Sequence, residues 1–104
     1  MIISTPGRLI DLVNAGYISF KRVTYLVLDE ADRMISLGFE FSVRSILQTV
    51  RPDCQHVLFS ATFSPRMVQL AMELTCQAGR VSVGRVGVAN KDIRQEMVIV
   101  HVRI

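Results

Sequence analysis

At 104 residues, half of them hydrophobic and 20% charged, the chain suits one small domain with a sizeable core, and its composition argues against a disordered polypeptide. Its net charge of +3 and pI near 9.3 favour a polyanionic partner without establishing one. No apolar run reaches transmembrane length, no basic-then-apolar leader opens the sequence, and Cys54, Cys76, His56 and His101 follow no zinc-finger spacing. The expectation is an intracellular protein with two reduced thiols and neither a membrane span nor structural zinc.

Met1–Ser4 is predicted as a short strand. Thr5-Pro6-Gly7-Arg8 then opens a helix running through Val13, with Thr5 as N-cap and Pro6 at the first helical position. Gly16 can close it in a left-handed conformation. The first turn of that helix offers free N–H groups and a positive dipole end. Gly7 permits close approach and Arg8 adds a full charge, which together suit a phosphate. Ordinary capping is the alternative. Tyr17–Val23 reads as a connector.

Thr24–Leu28 is a continuous apolar run of the kind buried on both faces of a parallel sheet. It ends in Asp29-Glu30-Ala31-Asp32. Carboxylates crowded at a strand end repel each other unless a cation neutralises them, and Mg²⁺ is the natural candidate. The alternative is a loop or helix start with no chemistry. A short helical turn ending at Gly38 follows. Glu40–Val50 is the clearest helix, because Val43, Ile46, Leu47 and Val50 form one apolar stripe.

Gln55–Phe59 is predicted as a second buried strand ending in Ser60-Ala61-Thr62. If it lies beside the first, Ser60 and Thr62 would meet Asp32 and donate hydrogen bonds to it. His56 reads as a surface residue. Ser64-Pro65 starts another helix, ending near Gly79, with Met67, Val68, Ala71, Met72 and Leu74 on its apolar side. Met67 and Met72 read as core filler. Arg80–Val83 and Met97–Val102 are predicted strands around a polar, glycine-containing linker. Strand and helix alternate in the manner of a parallel sheet with helical crossovers.

Thr5-Pro6-Gly7-Arg8, Asp29-Glu30-Ala31-Asp32 and Ser60-Ala61-Thr62, in this order and spacing, closely resemble the first RecA-like domain of DEAD-box RNA helicases. The flanks Leu9-Ile10-Asp11, Arg33-Met34, Gly38-Phe39-Glu40, Leu58-Phe59 and Val83-Gly84 fit as well, and the resemblance runs from about Ile3 to Val100. Val43-Arg44-Ser45-Ile46, Val50-Arg51-Pro52-Asp53 and Val88-Ala89-Asn90-Lys91-Asp92 look like the branch associated with pre-mRNA splicing. The resemblance implies a partial RecA-like α/β/α domain of three layers with a mainly parallel sheet. It implies ATP and Mg²⁺ as cofactors, and RNA, single-stranded or duplex, bound through its phosphate backbone. Splicing or other RNP proteins become candidate partners, and the nucleus the favoured location.

By position, Asp29 would hold Mg²⁺ through water, and Glu30 would orient and deprotonate the attacking water. Asp32, Ser60 and Thr62 would couple nucleotide state to domain closure. Thr5, Pro6, Gly7 and Arg8 would grip the RNA backbone. Residues 1–84 would be the back half of the first domain, 85–93 the linker, and 94–104 the first strand of a second domain.

The departure from the family is large. No G-x-x-x-x-G-K-[ST] occurs among these residues, so the phosphate-binding loop and its lysine are missing. In a RecA-like sheet that loop's strand lies between the Ser60-bearing strand and Val81–Val83, and its loss would leave a gap with unpaired backbone. The expectation is a fragment of an ATP-dependent RNA helicase, inactive by itself. A truncated, non-catalytic RNA- or partner-binding chain is the alternative. A DNA-directed enzyme of a related superfamily fits these motifs less well.

Overall fold

The computed structural model describes residues 1–75, 78–85 and 87–100. Its centre is a parallel pair of short strands, β1 (Tyr25–Leu28) and β2 (Gln55–Leu58). Their register sets Tyr25 opposite Gln55 and Leu28 opposite Leu58. Parallel strands need a long crossover, which is supplied here by α2 (Ala31–Ser36) and α3 (Glu40–Thr49). Before β1 come α1 (Pro6–Asn14) and a single 3-10 turn at Phe20–Arg22; after β2 comes α4 (Pro65–Leu74).

The helix ends follow the local chemistry. Pro6 and Pro65 each stand in the first turn of their helix. The Ser64 hydroxyl accepts from the Met67 N–H at 3.3 Å, whereas Thr5 occupies the N-cap of α1 without a side-chain cap bond. Gly16 and Gly38 take φ of 77° and 84°, the left-handed region where a side chain would be strained.

Alternation along β1 and β2 sends side chains to opposite faces of the pair. Leu28 and Leu58 pack with Ala31, Val43, Met67, Leu70 and Leu74 in one cluster. Leu26 joins Phe20, Ile46, Val50 and Cys54 in a second cluster, with Leu9, Ile10 and Val13 of α1 against it. The helices therefore cover the face bearing Leu26, Leu28 and Leu58. Tyr25 and Val27, on the other face, remain exposed, as does Phe59 just beyond β2. The described residues thus supply the sheet and one helical layer of the α/β/α arrangement.

Two predicted strands, and the described part of a third, do not form. Met1–Ser4 is irregular and exposed. Arg80–Val83 is unpaired, with Val81 and Val83 88% and 96% exposed. Met97–Val100 likewise has no strand partner, and His101 and Val102 of that predicted strand lie outside the described residues. A strand exists only through its neighbour's hydrogen bonds, and high β-propensity cannot replace the neighbour. The outer edge of β2, where the absent phosphate-loop strand was expected to leave a gap, faces a groove of about 970 Å³ lined by β2, α4 and residues 78–81.

Two smaller corrections concern α4. It stops at Leu74, short of Gly79, and Met72 is 74% exposed, so it fills no core. Leu70, absent from the predicted stripe, is among the most deeply buried side chains. Every described residue from Ala78 to Val100 is exposed. The radius of gyration is accordingly 18.2 Å, against about 13 Å for a compact domain of this length.

Candidate active site at the carboxyl end of the strand pair

Parallel register places the residues after Leu28 and after Leu58 at the same end of the sheet. The ladder continues past both strands: the Phe59 N–H donates to the Leu28 carbonyl at 2.8 Å, and the Ala31 N–H donates to the Phe59 carbonyl at 3.0 Å. Asp29-Glu30-Ala31-Asp32 is thereby stitched to Phe59-Ser60-Ala61-Thr62. Ligands of α/β proteins bind at this end of their strands.

Glu30 is the only residue other than glycine with positive φ among the described residues, at φ 50° and ψ 46°. That conformation costs about 1–2 kcal/mol for a residue bearing a Cβ. It turns the chain sharply from β1 into α2, leaving Asp29 and Glu30 exposed at the sheet's end. Asp29 Oδ1 accepts from the Glu30 N–H at 2.9 Å. Arg33 stands 3.6 Å from Glu30, both side chains about 70% exposed, too open for a strong pair.

Among the described residues no group of three or more His, Cys, Asp or Glu side chains is disposed to hold a metal. One exposed carboxylate nevertheless fits Mg²⁺, which keeps several waters and binds through one or two carboxylates plus substrate phosphates. Asp29 offers that donor.

The best-defined contact is between Asp32 and Thr62. Asp32 Oδ2 accepts from Thr62 Oγ1 at 2.8 Å and from the Thr62 N–H at 3.2 Å, while Oδ1 accepts from the Arg33 N–H at 3.0 Å. Hydrogen bonds to the ionised form favour it, so the Asp32 carboxyl is held below its ordinary value, chiefly by the Thr62 hydroxyl. The Ser60 hydroxyl departs from expectation. It donates to the Thr62 carbonyl at 2.7 Å and shapes the turn, with only a lesser effect on Asp32.

An ion-pair network, not anticipated from the sequence, braces the helix that follows this turn. Glu40 at the start of α3 accepts from Arg44 Nη2 at 3.0 Å and from Arg66 Nε at 2.7 Å, and Arg44 also pairs with Glu73. Arg44, then Arg66, holds the Glu40 carboxyl below its usual range. Only the i, i+4 spacing of Glu40 and Arg44 was legible as a signal.

Thr5, Pro6, Gly7 and Arg8 form the start of α1, with Thr5 and Arg8 exposed and Pro6 buried. A Cβ on Gly7 would meet only the Phe39 ring, at an ordinary 3.9 Å, so packing does not demand glycine there. Arg8 makes no ion pair among the described residues. Among the described residues these four make no hydrogen bond to Asp29, Glu30 or Asp32.

His56 corrects another expectation. It is half-buried, and its Nδ1 lies 2.6 Å from the Leu74 carbonyl, which makes Nδ1 the donor and ties β2 to α4. Its Nε2 is buried without a partner among the described residues. Cys54 is a buried free thiol whose pKa burial raises; Cys76 lies outside the described residues.

The chain is similar to known proteins along most of its length. A family model described as DEAD/DEAH box helicase matches residues 1–71. The chain is 54% identical over 95 residues to DEAD-box ATP-dependent RNA helicase 24 of Oryza sativa subsp. japonica, covering 91% of this chain and 12% of that protein. It is 48% identical over 101 residues to ATP-dependent RNA helicase DDX42 of Homo sapiens, covering 97% of this chain and 11% of that protein. Among solved structures it is similar to the yeast DEAD-box splicing factor Prp28, with TM-score 0.65 and 41% identity over 69% of this chain and 17% of that one. The chain thus spans about an eighth of the length of the curated relatives it matches.

The Asp32–Thr62 contact predicts a pH signature. A carboxyl with a depressed folded-state pKa adds stability above its unfolded pKa, near 4, and that contribution fades as pH falls through the folded value. Thr62→Val should move the Asp32 midpoint upward in a carboxyl-detected NMR titration and flatten stability against pH in the acid range. Ser60→Ala should move it less. Unchanged midpoints in Thr62→Val would remove this bond from the account.

Proposed function

The chain belongs to the DEAD/DEAH box helicase family, and from that premise we propose that it supplies the water-activating and coupling part of an ATP site in an RNA helicase that unwinds or remodels RNA. The observation that carries this reading is the side-by-side placement of Asp29-Glu30-Ala31-Asp32 and Ser60-Ala61-Thr62, joined through Asp32 and Thr62.

Phosphoryl transfer asks a protein mainly for positioning and charge stabilisation. Asp29 would hold Mg²⁺, and the ion when bound would neutralise phosphate charge. Glu30 orients the attacking water and takes its proton. Its left-handed backbone turns the chain between the strand that presents Asp29 and the helix that follows. Asp32 reports on the turn at Ser60–Thr62 through the Thr62 hydroxyl. At the start of α1, Thr5, Gly7 and Arg8 contact the RNA phosphate backbone without reading bases.

The loop that would hold the nucleotide's phosphates does not occur in these residues, so turnover belongs to a polypeptide that joins this chain to one. Residues 1–84 act as the back half of its first RecA-like domain, 85–93 as the linker and 94–104 as the entry to a second. RNP or splicing proteins are the partner class that the likeness to Prp28 suggests, with a nuclear site of action.

In such a complete protein, Glu30→Gln should lower ATP turnover at least about 100-fold while sparing ATP binding. Undiminished turnover would remove Glu30 from its role. Arg8→Ala should weaken RNA binding evenly across sequences and reduce the salt slope by about one. A changed base preference would instead show that Arg8 contacts a base edge.

A further inference from the structure

Two turns with different tasks in the function proposed above, the start of α1 at Gly7 and the turn at Ser60–Thr62, are joined by the adjacent residues Phe39 and Glu40. Phe39 is fixed first by its backbone. The Gly38 N–H donates to the Ile35 carbonyl at 3.0 Å and the Phe39 N–H to the Met34 carbonyl at 2.9 Å. With Gly38 left-handed, this pattern closes α2 and satisfies its last carbonyls. The Phe39 carbonyl then accepts from the Val43 N–H at 2.9 Å as α3 begins. Held from both sides, the half-buried residue sets its ring against α1, where Cε1 stands 3.9 Å from the Cβ position of Gly7.

Glu40 reaches the other way. Its Oε2 accepts from Arg66 Nε at 2.7 Å and its Oε1 from Arg44 Nη2 at 3.0 Å. Arg66 is the second residue of α4, just after the Ser60–Thr62 turn. Arg44 also pairs with Glu73 near the other end of α4. Because α4 is fastened to α3 through both of its ends, a displacement of Phe39 is carried to the Ser60–Thr62 turn instead of being lost in a rotation of α4. The Glu40 side chain is only 20% exposed, against about 70% in the open pair of Arg33 and Glu30, so water and salt weaken its pairs less.

We infer that Phe39 and Glu40 are positioning residues that link the RNA-gripping turn of α1 to the coupling turn at Ser60–Thr62, a link that rests on the roles proposed for those two turns. Coupling between sites is carried by packed side chains and ion pairs on rigid elements. Here each end has one such contact, an aromatic ring against Gly7 and a guanidinium on the Glu40 carboxylate. A change at Gly7 moves the ring, Arg66 follows, and Thr62 keeps or loses its bond to Asp32. If the two residues only packed helices together, their substitution would lower stability and leave the Asp32–Thr62 bond as it is.

The chain of 104 residues tests this first without ligand, by carboxyl-detected NMR titration of Asp32. In Glu40→Gln, loss of a negative charge acting through space alone would favour ionised Asp32 and lower its midpoint, whereas loss of positioning frees Thr62 and raises it. A rise of at least about 0.3 in pH is expected. Phe39→Leu, which changes no charge, should move the Gly7 amide signal and raise the Asp32 midpoint as well. Asp53→Asn, which removes an exposed carboxylate paired with Arg51, should move the midpoint by less than about 0.1. An Asp32 midpoint that falls or stays in Glu40→Gln, or a Phe39→Leu change that moves the Gly7 amide alone, would overturn the inference.

A second arm adds single-stranded oligouridylate. In the unsubstituted chain the Gly7, Arg8 and Thr62 amide signals should shift together. In Glu40→Gln the Thr62 response should fall at least about twofold while Gly7 and Arg8 still respond. Equal Thr62 responses in the two chains would overturn the link. No response at Gly7 and Arg8 in the unsubstituted chain would instead overturn the RNA role of α1, so the two failures are distinguishable.

Discussion

Parallel pairing of Tyr25–Leu28 with Gln55–Leu58 is the constraint from which the functional geometry follows. In either strand, a slip of one residue would turn the leucines away from Val43 and Met67 and carry its motif to the wrong face. The hydrophobic cluster around Leu28 and Leu58 holds the register, and the backbone bonds through Phe59 extend it into the motifs. Asp32 meets Thr62 because the strands beneath them are in register. Glu30 accepts a left-handed backbone because the ladder on one side and α2 on the other fix its neighbours. The ion pairs around Glu40 then hold α4, and with it the far end of the Ser60–Thr62 turn.

Much of this was legible in the sequence because it is local. Pro6 and Pro65 mark helix starts, Gly16 and Gly38 mark ends, and the stripe through Val43 and Ile46 marks a buried face. The two motifs sit at strand ends where the apolar runs stop. Their proximity required only the assumption that the two strands are neighbours, which Asp32 and Thr62 bear out.

What was not legible depends on partners distant in sequence. Val81, Val83 and Met97–Val100 have the composition of strands, but no neighbouring strand meets them and they stay exposed. His56 looked like a surface residue because nothing in its own segment announces the Leu74 carbonyl that it binds. The Ser60 hydroxyl is the local exception, because it donates to the Thr62 carbonyl two residues along its own turn. Glu40, Arg44, Arg66 and Glu73 come from two helices, and only the crossing of those helices turns them into a network.

The proposed reading is a division of labour: Glu30 would activate water and Asp32 with Thr62 would sense closure, whereas the sequence carries no loop to hold the phosphates. The most direct test is phosphate release by the purified chain supplied with Mg²⁺ and ATP, with and without RNA. The account predicts no release above the buffer background in either case. RNA-stimulated turnover that disappears in Glu30→Gln would contradict it, because it would mean that these residues hold a nucleotide without the loop.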